Sequence, residues 1–181
     1  MKQITSILLF IITFTLLVML FLKPKGKPIA ISQTIIKIDY TNYLLAIEHI
    51  AHYESYSKYP YKYKVKWYVG YGVETSDSIT PISRERALEG LKTAFHQKLA
   101  IANKRYDVNS NKCLAIGLLM YRFGENALKK TKLHKHLLNN NLDSIRIEWS
   151  DINVFQGKPH KKINERMEFE LSMYFINSFN N

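Results

Sequence analysis

Between Ile50 and Thr75 the apolar period of the chain changes, and that change restricts the folds open to it. Helical spacing runs into Glu54, residues 58–73 then alternate and are rich in Tyr, Lys, Val and Trp, and Gly70-Tyr71-Gly72 closes the stretch. A period near 3.6 and a period of 2 cannot be served by one element. The helix must therefore give way to a small hairpin or three short strands. A carboxylate at a helix end, facing a hairpin and a Gly-x-Gly turn, builds a cleft suited to a bulky polar polymer.

The helix before this point can be capped by Asp39 or Thr41 and is expected to run to about Tyr53. Leu44, Ile47, Ala51 and Glu54 fall on one face, so Glu54 extends the apolar stripe. That placement predicts a partly desolvated carboxyl, the environment a general acid requires. In the alternating stretch, simple alternation puts Lys62, Lys64 and Lys66 on one face and Tyr61, Tyr63, Val65 and Trp67 on the other.

Helical patterns dominate the chain from Ser83 onward. Ser83 is the expected cap of an amphipathic helix to about Lys104, with Ala87, Leu91, Ala94 or Phe95, and Leu99 inward. Asn109 or Ser110 starts a strongly apolar helix that stops at Gly124 and reads as the central buried helix. Short helices are expected at about 125–129, 131–139 and 143–150. A last one, from about Lys161 to Phe175, turns Ile163, Met167, Leu171, Tyr174 and Phe175 inward. Helices outweigh strands, and the expected class is α+β, with a small sheet lobe and a larger helical lobe over residues 34–181.

Residues 4–22 are uncharged and dominated by Ile, Leu, Phe, Val and Met. As a helix they would span about 28 Å, close to the ~30 Å hydrocarbon core of a bilayer. The run ends in Leu22-Lys23-Pro24-Lys25-Gly26-Lys27, without a small-residue cleavage site, so residues 1–22 are expected to be an uncleaved transmembrane anchor. Residues 23–33 read as a linker. Lys2 precedes the span and Lys23, Lys25 and Lys27 follow it, so charge alone does not favour export of the domain.

The net charge of +11 suits an acidic partner: nucleic acid, anionic lipid or an anionic wall polymer. No helix-turn-helix, zinc or RNA-binding signature accompanies the charge, and nucleic acid is not an expected partner. The one cysteine, Cys113, excludes an intrachain disulfide and lies in an apolar run as a small buried hydrophobe. His134 and His136 have no acidic neighbours at metal-ligand spacing, and no metal or cofactor is expected.

Several segments, taken in order, resemble the phage-type lysozymes of glycoside hydrolase family 24, especially the lysozyme-like proteins of bacterial conjugative elements. His52-Tyr53-Glu54 followed by Trp67-Tyr68-Val69-Gly70-Tyr71-Gly72 is similar to the family's Phe-Glu-Gly … Trp-Thr-Ile-Gly-Tyr-Gly. Ile79-Thr80 with Ser83-Arg84-Glu85-Arg86-Ala87 resembles the opening of the next family helix, and Asn111 to Gly124 the central one. Thr131 to Asp143, then Gly157-Lys158 with Arg166 and Glu170, resemble the closing segments.

The resemblance implies a lysozyme-like fold and cleavage of peptidoglycan strands between N-acetylmuramic acid and N-acetylglucosamine, with Glu54 as general acid. The family's second carboxylate lies nine residues beyond the first. Here that count reaches Tyr63, counting back from Gly70 reaches Lys62, and neither Asp nor Glu occurs between Glu54 and Glu74. Glu74, then Asp77, are the nearest replacements. Tyr63, Trp67, Tyr68 and Tyr71, with Tyr61, are candidates to stack on sugars, Arg122 to line the cleft, and Arg166 to pair with Glu54. The replaced positions leave a second reading open, a lysozyme scaffold that binds peptidoglycan, or organises an envelope or conjugation complex, without cutting. Either function places the domain on the periplasmic or wall side of an inner-membrane anchor.

Overall fold

Asp39 starts the first helix by accepting the Asn42 backbone N–H on Oδ1 at 3.0 Å, the usual N-cap geometry. The structure is a computed structural model that describes residues 38–108, 110–151 and 161–176. The run 4–22, the linker, and the positions of Asn109 and the Ile163 side chain lie outside the described residues. Among the described residues no helix is long and apolar enough to cross a membrane.

Helix α1 covers Tyr40–Glu54, and its buried face is Tyr43, Ala46, Ile47 and Ile50. Leu44, expected on that stripe, is 36% exposed. The face is centred on Tyr43 and Ala46 instead, one step round from the expected one. Glu54 remains on it, two turns beyond Ile47. The chain leaves the helix through Ser55 at φ 58°.

Three antiparallel strands come next in the order β1-β2-β3: Ser57–Tyr63, Lys66–Gly70 and Val73–Thr75. Between β1 and β2, Tyr61 pairs with Tyr68, Lys62 with Trp67 and Tyr63 with Lys66. This corrects the expected faces. Residues 64 and 65 form the hairpin turn, with Lys64 at φ 56°, and the turn resets the alternation. Trp67 therefore shares a face with Lys62, while Lys66 shares one with Tyr63, Tyr61 and Tyr68. On the other edge Tyr68 pairs with Glu74, so Glu74 joins the tyrosine face.

Helix α2, Arg84–Tyr106, is capped by Ser83, whose hydroxyl accepts from the Arg86 N–H at 3.2 Å. It buries Ala87, Leu91, Phe95, Leu99, Ala102 and Tyr106, a stripe at three- and four-residue spacing. Of the two alternatives, Phe95 rather than Ala94 takes the fully buried place. Helix α3, Ser110–Phe123, buries every residue from Cys113 to Met120 and packs against α1, α2 and the last helix. Such all-round burial suits a helix with no polar face, each Leu or Ile contributing roughly 1.5–3 kcal/mol. Cys113 is buried there and its thiol is pushed up to about 12 by desolvation.

Helices α4 (Glu125–Leu128), α5 (Lys132–Leu138), α6 (Leu142–Asp151) and α7 (Lys161–Phe175) complete the larger lobe. Thr131 caps α5 by accepting the His134 N–H. On α7, Met167, Met173, Tyr174 and Phe175 are buried, and so are Arg166 and Glu170. The molecule is thus a three-stranded sheet set against a helical body. The loop before α2 is fastened to the first strand region: the Ile82 N–H donates to Lys58 O at 2.9 Å, and the Tyr56 hydroxyl donates to Ile82 O.

Candidate active site

Glu54 sits where α1, the sheet and α7 meet. Its Oε1 accepts a hydrogen bond from Arg166 Nη2 at 2.9 Å, joining residues 112 positions apart. Its side chain is 27% exposed. The carboxyl is thus partly withdrawn from solvent, as its place on the apolar side of the helix predicts, and its ion-pair partner is the expected Arg166. Its other oxygen, Oε2, faces the Gly-Tyr-Gly turn, where a Cβ on Gly72 would lie 3.4 Å away.

That turn is held to the central helix, because the Tyr121 hydroxyl donates to Tyr71 O at 2.8 Å. Gly70 and Gly72 have φ of +65° and +78°, a region that disfavours side chains. Gly70 is further constrained: a Cβ there would lie 2.8 Å from Ala87 Cβ on α2. Glycine thus lets the sheet rest on α2 and brings the turn against Glu54.

The tyrosine face of the sheet looks towards the same carboxyl. Tyr61 and Tyr68 stack with ring centroids 6.0 Å apart. Burial pushes the Tyr61 hydroxyl up, with the Glu54 charge adding to it. Burial raises Tyr121 as well, again with a contribution from Glu54. Tyr63, the residue nine beyond Glu54, is at the strand end and 60% exposed. Trp67 belongs to the opposite face, the one whose Val73 approaches Gly90 of α2.

The two candidate second carboxylates have different surroundings. Glu74 lies on the tyrosine face and pairs with Lys66 Nζ at 2.6 Å, both side chains about half exposed. Asp77 instead folds its own turn, accepting from the backbone N–H groups of Ile79 and Thr80. Hydrogen bonding by the Thr80 side chain, together with those two N–H groups, holds its carboxyl down to about 2.

Beneath Glu54 lies a charged cluster that sequence reasoning did not assemble. Arg166 Nε is 3.4 Å from Glu170 Oε1, and Arg122 Nη2 is 3.0 Å from Glu170 Oε2. Glu170 is wholly buried, and burial raises its carboxyl while Arg122 and Arg166 oppose the rise. Arg122, expected to line the cleft, is a buried partner of Glu170 with an 11% exposed side chain. His49 Nε2 is 3.9 Å from Glu170 Oε1, and its ring stacks on Phe169 at 4.1 Å. Burial, followed by the two guanidiniums, lowers His49 to about 3, so it is neutral at pH 7. The signal was present in the sequence as two opposite charges, i and i+4, on the otherwise apolar stripe of α7.

A family model described as phage lysozyme matches residues 51–170, a span that holds Glu54, the sheet, the central helix and Glu170. The chain belongs to the phage lysozyme family. Solved structures similar to it share the fold. The muramidase domain of SpmX from Asticaccaulis excentricus has a TM-score of 0.61 at 16% identity, over 72% of this chain and 94% of that one. The active form of the P1 phage endolysin Lyz has 0.60 at 16%, over 74% and 84%. The endolysin of Escherichia coli O157:H7 phage FAHEc1 has 0.57 at 19%, over 73% and 91%. No curated protein sequence matches the chain. The lysozyme-like fold expected from the sequence is the fold observed, and the closeness to proteins of conjugative elements has no support among these relatives.

Proposed function

We propose that this protein is a membrane-anchored peptidoglycan hydrolase that cuts between N-acetylmuramic acid and N-acetylglucosamine. The observation that carries the reading is the division of Glu54: Arg166 holds Oε1, while Oε2 faces the Gly72 turn beside the Tyr61–Tyr68 face. Glu54 protonates the glycosidic oxygen as the bond to the anomeric carbon breaks. A water adds to that carbon and gives up a proton to a second carboxylate. Glu74 is the better candidate for that base, since it shares the tyrosine face while Asp77 is committed to its turn. Tyr61, Tyr63, Tyr68 and Tyr71 supply surfaces for the sugar rings. Residues 4–22 anchor the domain so that it faces the wall, where local opening would serve an envelope-spanning apparatus such as one for secretion or conjugation.

The full chain, kept in mild detergent, should release soluble fragments and new reducing ends from purified peptidoglycan. Glu54→Gln should reduce release by about 10²-fold or more, the usual worth of a general acid. Equal release by both proteins would defeat the assignment.

A second reading is favoured by one observation, the engagement of Glu74 with Lys66. If that pair persists in the bound state, the cleft holds glycan without cutting it. Co-sedimentation of wild type and Glu54→Gln with insoluble peptidoglycan, with no fragments released by either, would select this reading over hydrolysis.

A further inference from the structure

We infer that Glu170 is the positioning residue of this site, acting on Glu54 through Arg166. The inference rests on the hydrolase reading for its effect on turnover, but not for its geometry.

One guanidinium touches two carboxylates of different kinds. Arg166 presents Nη2 to the half-buried Glu54 and Nε to Glu170, which has no exposed surface. A guanidinium is planar, so fixing two of its nitrogens fixes the direction in which the charge is delivered. Arg166 and Glu170 are also one turn apart on α7, so the helix itself sets their spacing. Glu170 can stay charged in the interior because Arg122, from the central helix, approaches its second oxygen at 3.0 Å. The groups facing Glu170 are therefore Arg122 on α3, Arg166 on α7, His49 on α1 and Trp149 on α6. His49 is neutral at pH 7, so the two guanidiniums carry the balance. The formal charges of Glu54, Glu170, Arg122 and Arg166 sum to zero. A burial this complete is costly unless every charge is matched. Such a cluster is a poor way to stabilise a core, but a good way to hold Arg166 in one orientation. With Oε1 of Glu54 occupied, Oε2 is the oxygen left towards the turn and the substrate.

Two measurements on the full chain in mild detergent test this. The first needs no hydrolysis. Nitrogen-15 NMR of the Arg166 side chain should show slow rotation about its Cζ–Nε bond in wild type and fast rotation in Glu170→Gln. Fast rotation in wild type, or unchanged slow rotation in Glu170→Gln, would overturn the inference, and the wild-type arm stands even if the variant does not fold. The second reads turnover on peptidoglycan. Glu170→Gln should lower kcat by about 10- to 100-fold, the cost of a misplaced catalytic group, with KM within about twofold. In an Arg166→Met background the same change should cost nothing more. Additive losses would mean that Glu170 acts independently of Arg166 and would sink the proposal. If wild type releases no fragments, the hydrolase reading fails while the rotation measurement still decides the positioning role.

Discussion

Gly72 and Glu54 are in near contact: a Cβ built on the glycine would meet Oε2 of the carboxylate at 3.4 Å. The oxygen that Arg166 leaves unoccupied is the one the turn approaches. Gly72→Ala should therefore affect activity more than folding. Its φ of +78° costs an alanine about 1–2 kcal/mol. Hydrolysis should fall by roughly 10-fold or more because the methyl group crowds the acid. Urea unfolding and turnover measured on one preparation check the imbalance.

Gly70→Ala should behave in the opposite way. Its Cβ would lie 2.8 Å from Ala87 Cβ and 3.3 Å from Ala87 Cα, and a backbone atom on α2 cannot swing aside. Left-handed strain and overpacking together predict a loss of about 2–4 kcal/mol. A denaturation midpoint close to that of wild type would contradict this account of how the sheet rests on α2.

Arg122 is expected to matter for stability rather than for contact with sugar. Among the described residues, Arg122→Met leaves the buried Glu170 with only Arg166 as a cationic partner, and breaking a buried pair costs about 3–5 kcal/mol. Adding Glu170→Leu should recover part of that loss by removing the stranded charge. A loss in the single variant that the double variant deepens additively would refute the pairing.

His49 predicts a pH dependence. Its folded pKa, lowered to about 3, lies below the unfolded value of about 6.5, so below pH 6.5 the unfolded chain binds the extra proton. Stability is then present in full above pH 6.5 and declines as pH falls towards 3. Between pH 6.5 and 4.5, above the range of ordinary carboxylates, the thermal midpoint should fall more steeply in wild type than in His49→Phe. His96 and His134, both also lowered by burial, contribute equally to the two proteins. Parallel curves would remove His49 as the cause.

Glu74 separates the two functional readings. Its pair with Lys66 lies in solvent, where such contacts add little to folding. Glu74→Gln should leave the melting temperature unchanged and, if Glu74 is the base, lower hydrolysis by about 10²-fold. Unchanged hydrolysis would remove it from the mechanism.

Local rules account for much of this molecule. Asp39, Ser83 and Thr131 cap the helices they were expected to cap or begin, because an N-cap needs only the next three residues. The apolar run from Cys113 to Met120 could be satisfied only at the centre of the body. The Gly-Tyr-Gly turn, and the placing of Glu54 at the end of a helix on its apolar side, were also legible.

Sequence periodicity missed the exact buried face of α1, where Leu44 is exposed, and it also missed one turn and one cluster. A two-residue turn at Lys64 and Val65 exchanged the faces of Trp67 and Lys66, and alternation along a strand cannot cross a hairpin. Arg122, on the last turn of the apolar helix, was expected to line the cleft, yet it is buried against Glu170.

The sequence by itself determined the helices, the small sheet and the position of one carboxylate at the junction, since each depends on spacing within a few residues. The resemblance also named Arg166 as the partner of that carboxylate, and only the tertiary structure decided which of its oxygens is held and what charges lie beneath it. Arg166 reaches Glu54 from 112 residues away, and Glu170 and Arg122 match charges from different helices. Burial of charge is a balance struck across the whole fold, and no local period encodes it.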